Sequence, residues 1–336
     1  MNKKKIFAKL GIDPALLTDL HVIRLFSSFV GISGGRVLAV TDPNMTYCPL
    51  VRFFYHDKWN GALSPSDIKN AIKEIVEDKI STYGFFTDNR ELVRNTIAVP
   101  YGASEFLMYA LKKKTIDGAV VACDGAGSVI TGKPEIVQGI GARMNGLFHT
   151  TPLQGVISRL RDAGCAVPFE NGRVDQKAAA REAARLGYGR VAVTVNGYMG
   201  EDLKELRIFY ESIGVKCYIF MICCTGVSES RVKEMIDYAD VIWSCGSSRV
   251  REQVGKKAIL QITKKIPVFV LTPEGLEAVS GYASDPDVIR RLHPDRQYLI
   301  AGDIPGEKIG MGRFRSRLSE AQLPVRSSDK PVLEGE

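Results

Sequence analysis

Apolar and polar positions along the chain follow two rhythms. From about residue 117 to 280, short apolar runs alternate with amphipathic stretches of helical period. The runs "DGAVVACDGAG", "RVAVTV", "VKCYIFMICC", "DVIWSC" and "IPVFVL" read as buried strands. Between them, "QGVISRLRDAG", "DQKAAAREAARLG", "LKELRIFYESIG", "SESRVKEMIDYA" and "SRVREQVGKKAILQITKK" read as helices, and "PEGLEAVSGY" as a short one. Asp175 opens the alanine-rich helix, Gly187 closes it, and Gly164 closes the one before. The alternation predicts an α/β fold over residues 117–315: a doubly wound, mostly parallel, Rossmann-like sheet with right-handed crossovers.

Residues 1–116 read as a mixed α+β N-terminal region. There, "DPALLTDLHVIRLFSSF" suggests a helix and "VGISGGRVLAV" two strands around a Ser-Gly-Gly turn. "LSPSDIKNAIKEIVEDKIS" is an amphipathic helix with Ile68, Ile72 and Ile75 at helical spacing, and "GASEFLMYALKKK" is another. Residues 316–336 are polar and proline-containing, which predicts a flexible tail.

In an open parallel sheet, ligands bind outside the carboxyl ends of the strands, where chain direction reverses and helix N-termini point inward. The turns expected at that edge are "CDGAGS", "NGYMGED", "CCTGVSES", "CGSSR" and "TPEG". All carry glycine, and Cys123, Cys223, Cys224 and Cys245 stand at strand ends. Cys48, held before a proline in "TYCPL", adds a fifth candidate thiol. Converging thiolates ligate an iron–sulfur cluster or another soft metal, and a thiolate beside a helix N-terminus is a nucleophile. No CxxC occurs, so spacing alone does not specify a metal, and tight turns needing small residues are the plainer account. Gly246, Ser247, Ser248 and Arg249 offer N–H groups, hydroxyls and a guanidinium to an anion, with helix capping as the alternative role. Gly125, Gly127 and Asn196 lie in two further turns of that edge, and Gly141, Arg143 and Asn145 in the loop "GIGARMNG". Asp124 and His149 are the acid–base candidates, and Cys123 the candidate nucleophile. "GSVITGKP" has the outline of a phosphate loop, but Pro134 stands where a Ser or Thr belongs, which argues against one.

Composition narrows the classes. Lys plus Arg total 45 and Asp plus Glu 38, a formal net charge of +7 spread along the chain rather than gathered in a stripe. That fits small anionic ligands better than nucleic acid. The run "MNKKK" lacks a following apolar segment, and no apolar run approaches a membrane span, so no membrane role and a cytoplasmic location are expected. Seven cysteines, an odd number, are expected to be reduced.

The blocks "YCPL", "ACDGAGSVITGKPEIVQGIGARMNGLFHTTPL" and "ADVIWSCGSSRVRE" resemble the methanogenesis marker protein 8 family across about residues 30 to 280. The resemblance implies an anaerobic, reducing cytoplasm, where exposed thiols and oxygen-sensitive metals survive, and it supplies no catalytic residues. Three functions stay open. The first is an accessory protein of anaerobic one-carbon or cofactor metabolism that holds a metal cluster or thiol-reactive anion on Cys48, Cys123, Cys223, Cys224 and Cys245. The second is a metal-independent enzyme for a phosphorylated or carboxylated metabolite, and the third a non-catalytic assembly factor docking on a partner enzyme.

Overall fold

The computed structural model describes residues 3–57, 64–199 and 201–333. Met1 and Asn2 of the basic start, Leu63 of the isoleucine-striped helix, Gly200 of the turn "NGYMGED", and the last three residues lie outside that description. Strands β1 (His21–Leu25), β2 (Ser28–Ser33) and β3 (Arg36–Val40) form a meander. Residues 13–29 are therefore not a helix: Pro14 starts only a 3₁₀ turn, and "HVIRL" pairs as a strand. Its Ile23 and Leu25 enter one apolar cluster and Val22 another, so alternation outweighed helical spacing here. Helix α1 (Lys3–Leu10) packs on the Val22 side. After β4 (Met45–Tyr47) come α2 (Pro49–Phe54) and α3 (Pro65–Tyr83), whose Ile68, Ile72 and Ile75 cover the Ile23 side. Ser64 and Asp67 close a reciprocal capping box at the start of α3. Helix α4 (Ala103–Lys112) follows.

Next come β5 (Gly118–Cys123), β6 (Gly127–Thr131), α5 (Pro134–Gly141), β7 (Gly146–Thr150), α6 (Gln154–Asp162) and α7 (Gln176–Arg185). Then β8 (Arg190–Asn196), α8 (Leu203–Ser212), β9 (Lys216–Ile222), α9 (Glu229–Tyr238) and β10 (Val241–Trp243) repeat the expected alternation. The remainder is β11 (Leu260–Ile262), β12 (Val268–Val270), α10 (Pro273–Ser280), α11 (Pro286–Arg290), β13 (Tyr298–Ala301), β14 (Glu307–Met311), β15 (Phe314–Glu320) and β16 (Val332–Leu333).

Ten strands form one sheet in the order β14-β15-β13-β11-β12-β10-β9-β8-β5-β6. Its side chains alternate between two clusters: Ala119, Val121 and Cys123 of β5 face one, Val120 the other. Helices α4, α5, α6 and α10 contribute to the first cluster, and α7, α8 and α9 to the second. This gives a mixed α/β architecture with helices on both faces.

The sheet is not mostly parallel. Parallel pairing is confined to β5-β8-β9-β10 and to β11-β13. Two misreadings account for the difference. Strand β5 returns directly as the β5–β6 hairpin, with no crossover helix. The stretch "SRVREQVGKKAILQITKK" forms one π-helical turn at Val250–Val254, then β11, which pairs antiparallel with β12. Strands β13–β15 extend that edge, and β7, which falls within residues 117–315, pairs instead with β1 of the N-terminal region. Residues 316–333, expected to form a flexible tail, are structured: β15 runs to Glu320, Leu323 is buried, and β16 pairs with β4.

Candidate active cavity

A cavity of about 360 Å³ lies between the small sheet and the carboxyl ends of β8, β9 and β10. Apolar side chains make most of its wall, among them Leu25, Met45, Phe54, Val137, Ile140 and Trp243. Cys48, Cys223 and Cys245 reach it, as do Gly141, Arg143, Asn145, Asn196 and Gly246.

Parallel pairing of β8, β9 and β10 sets Asn196, Cys223 and Cys245 side by side, because each follows or ends its strand. Cys223 and Cys245 both adopt left-handed backbone, with φ of 57° and 48°. Non-glycine residues rarely stay there, at a cost of about 1–3 kcal/mol, unless the surroundings hold them. The backbone N–H groups of Cys223 and Cys224 and the charge of Arg24 favour the ionised form of the Cys245 thiol. Burial still pushes the Cys245 thiol up, takes Cys223 to about 12 and Cys48 to about 11. All three are thus neutral thiols at rest. Gly146 sits where an added Cβ would stand 3.0 Å from the Cys223 sulfur, so that residue's smallness lets the two sheets close on each other.

Four charged groups on the wall escaped the sequence analysis. Arg24 of β1 donates to the Ser27 and Thr225 carbonyls at 3.2 and 2.5 Å and stacks 4.0 Å over Tyr198. Lys79 of α3 is buried and donates to the Arg143 carbonyl at 3.0 Å and Asn145 Oδ1 at 2.6 Å. Burial, with Arg143 and Arg90 nearby, lowers its pKa to about 7. Glu201 is raised to about 7, chiefly by burial. Glu105 is fully buried, and its carboxylate accepts from the Ala98 and Val99 N–H groups, Gln138 and Ser104. One signal was readable: Lys79 extends the apolar Ile68, Ile72, Ile75 stripe, where a charge is out of place.

Arg143 lies over the rings of Phe54 and Tyr83 at 5.2 and 5.4 Å. Its Nε, Asn196 Nδ2 and Glu201 Oε2 are buried without a hydrogen-bond partner in the protein. Among the described residues no carboxylate pairs with Arg24 or Arg143.

The other sequence candidates sit elsewhere. Cys123 is sealed in the core and donates to its neighbour's carbonyl, while Cys224 packs in the cluster on the opposite sheet face. Asp124 is buried in an ion pair with Arg90 at 2.9 Å and accepts the Phe86 N–H at 2.6 Å. Gly125 donates to Thr150 Oγ1 at 2.7 Å, and Gly127 backs onto Gly172 and Arg173, so "CDGAG" is a hairpin turn rather than an anion cradle. His149 rests its ring edge-on to Phe7 at 5.4 Å, outside the cavity wall, with its pKa lowered to about 4 by burial. Ser247 accepts the Val250 N–H at 3.3 Å, and Arg249 is exposed. With Ser248 they lie off the cavity wall.

No group of three or more His, Cys, Asp or Glu among the described residues is placed to hold a metal ion. Of the five candidate cysteines, Cys48, Cys223 and Cys245 reach the cavity wall, while Cys123 and Cys224 do not. Nor is any described helix long and apolar enough to cross a membrane.

Residues 21–283 match a family described as an uncharacterized protein conserved in archaea, DUF2099. The chain belongs to the DUF2099 family. It is also 36% identical over 273 residues to Uncharacterized protein MJ0054 of Methanocaldococcus jannaschii, covering 81% of this chain and 93% of that one. The DUF2099 match spans every residue of the cavity wall except Pro331, near the C-terminal end of the described residues.

Proposed function

We propose that the protein binds a small apolar molecule bearing a carboxylate or phosphate in this cavity and acts on it without a bound metal. The observation that carries this is Arg24 and Arg143, two guanidinium groups on a mainly apolar wall with no carboxylate partner among the described residues. A guanidinium keeps its charge at any relevant pH, so partial burial without a counter-ion favours an anion arriving from outside. The apolar wall takes the body of the molecule. Cys245 is the reactive thiol: a thiolate formed there is favoured by the nearby backbone N–H groups of Cys223 and Cys224 and by Arg24.

In this reading the setting is anaerobic one-carbon or cofactor metabolism in a reducing cytoplasm, as the resemblance to the methanogenesis marker protein 8 family suggests. The thiolate–metal alternative draws less support, because Cys123 and Cys224 lie off the cavity wall that Cys48, Cys223 and Cys245 reach.

Titration calorimetry with octanoate, octyl phosphate and octanol tests the reading. Both anions should bind at least about tenfold more tightly than octanol, since a charge-assisted hydrogen bond contributes about 1.5–3 kcal/mol. Arg143→Met should weaken the anions and leave octanol unchanged. Equal binding of all three probes, or of none, would overturn it. Stoichiometric iron or zinc with a visible absorption band after anaerobic purification would restore the metal alternative.

A further inference from the structure

The remaining unexplained group on the cavity wall is Lys79. Its amine has two acceptors, the Arg143 carbonyl at 3.0 Å and Asn145 Oδ1 at 2.6 Å. A charged ammonium has three N–H bonds, and a neutral amine has two and one lone pair. Two acceptors satisfy the neutral form completely. They leave the third direction of Nζ for the lone pair, on a side chain that lines the cavity. The charged form would instead bring a third N–H without a protein partner into a buried site, beside two arginines. The surroundings agree with the neutral form, for they lower the affinity of Nζ for a proton.

We propose that Lys79 is a nucleophilic amine that forms an imine with the carbonyl of a ketone or aldehyde whose anionic group is held by the cavity arginines. This rests on the cavity binding an organic anion, as proposed above. The Nζ lone pair attacks the carbonyl carbon and forms the C–N bond. The two amine protons leave with the carbonyl oxygen as water, and a C=N bond remains. No oxidant or reductant is consumed. The arginines fix the anionic end, and the apolar wall keeps bulk water from reversing the step. Glu201 reaches the same wall with one carboxyl oxygen unbonded.

The test incubates the full-length protein with 2-oxooctanoate at neutral pH, adds sodium borohydride, and locates the reduced adduct by peptide mass mapping. Lys79 should be labelled at least about tenfold faster than any surface lysine, because an ordinary lysine of pKa about 10.4 is almost wholly protonated at that pH. Octanoate should protect it. Lys79→Met, which removes the amine and keeps the buried site neutral, should fold and lose the adduct, and Lys79→Gln should do the same. Binding of octanoate by calorimetry is read on the same samples. If octanoate binds and Lys79 is no more labelled than surface lysines, the imine proposal falls while the anion reading stands. A specific Lys79 adduct without octanoate binding overturns the anion reading alone, and failure of both measurements overturns both.

Discussion

At the residue scale, opposite changes in two buried groups give the cavity its own pH signature. Lys79 has its pKa lowered to about 7 by burial, so between about pH 7 and 10.5 the unfolded chain holds a proton that the folded chain has released. Stability from this group therefore rises with pH across that window, by up to about 1.4 kcal/mol per unit, and its full penalty is present below pH 7. Glu201, raised to about 7, acts in the other direction. Between about pH 4.5 and 7 the folded chain holds the extra proton, so stability falls as pH rises. Together they place a minimum near neutrality. Urea unfolding from pH 5 to 10 should show Lys79→Met flattening the rise above pH 7 and Glu201→Gln flattening the fall below it. Unaltered pH profiles in both variants would show that neither group titrates abnormally. Neither was legible as functional in the sequence. Glu201 sits in a turn full of ordinary capping residues, and Lys79 betrays itself only by breaking an apolar stripe. The cysteines were legible by position but not by direction. Cys223 and Cys224 are neighbours, yet the left-handed turn at Cys223 sends one to the cavity and the other into the core.

At the element scale, helices with a defined cap were readable and secondary structure dictated by distant partners was not. Ser64, Asp175 and Ser228 each accept a backbone N–H at the start of a helix that the pattern had already located. Strand β11 was hidden, because "VREQVGKKAILQ" has good local helix formers. Its fate is decided by Gln261, fully buried, which bonds the Thr263 and Val325 carbonyls and accepts the Val325 N–H. Those partners lie about sixty residues on or at the strand's own end, out of reach of any local window. The glycines of "CDGAG" were noticed for the wrong reason. Gly127 has φ of 77°, and an added Cβ would stand 2.4 Å from the Arg173 carbonyl oxygen. Gly127→Ala should therefore cost about 1–3 kcal/mol in urea unfolding, without changing octanoate affinity in the protein that remains folded. A selective loss of octanoate affinity at unchanged stability would return that turn to the binding site.

At the scale of the whole molecule, the cavity belongs to neither half of the sequence. Its wall takes Arg24 from β1, Lys79 from α3, Cys245 after β10, and Pro331 just before β16. A division near residue 116 could not suggest this, because it rests on pairings of β1 with β7 and of β4 with β16 that cross that division, the second spanning most of the chain. The final segment acts as a strap. Asp329 accepts from the Tyr47 hydroxyl and pairs with Lys265 at 2.6 Å, which ties the strap to β4 on one side and to the loop after β11 on the other. Pro331 then lines the cavity, and Leu333 joins the cluster that contains Cys48. The ion pair is largely exposed and contributes little by itself, about 0–1 kcal/mol, so most of the hold comes from pairing and apolar contact. Ending the chain after Ser327 removes all of these contacts but keeps buried Leu323 and the Val325 bonds to Gln261. The shortened protein should stay folded, with a melting temperature lower by a few degrees. Cys48 is 8% exposed in the complete chain, and its thiol is held near a pKa of 11 by burial. Opening the strap should bring water to that thiol and lower its pKa toward the ordinary value near 8.5. A bulky maleimide should then label Cys48 at least about tenfold faster, with the sealed Cys123 unchanged as the internal control. Equal labelling of Cys48 in both chains would mean that access to the cavity does not pass beneath the strap.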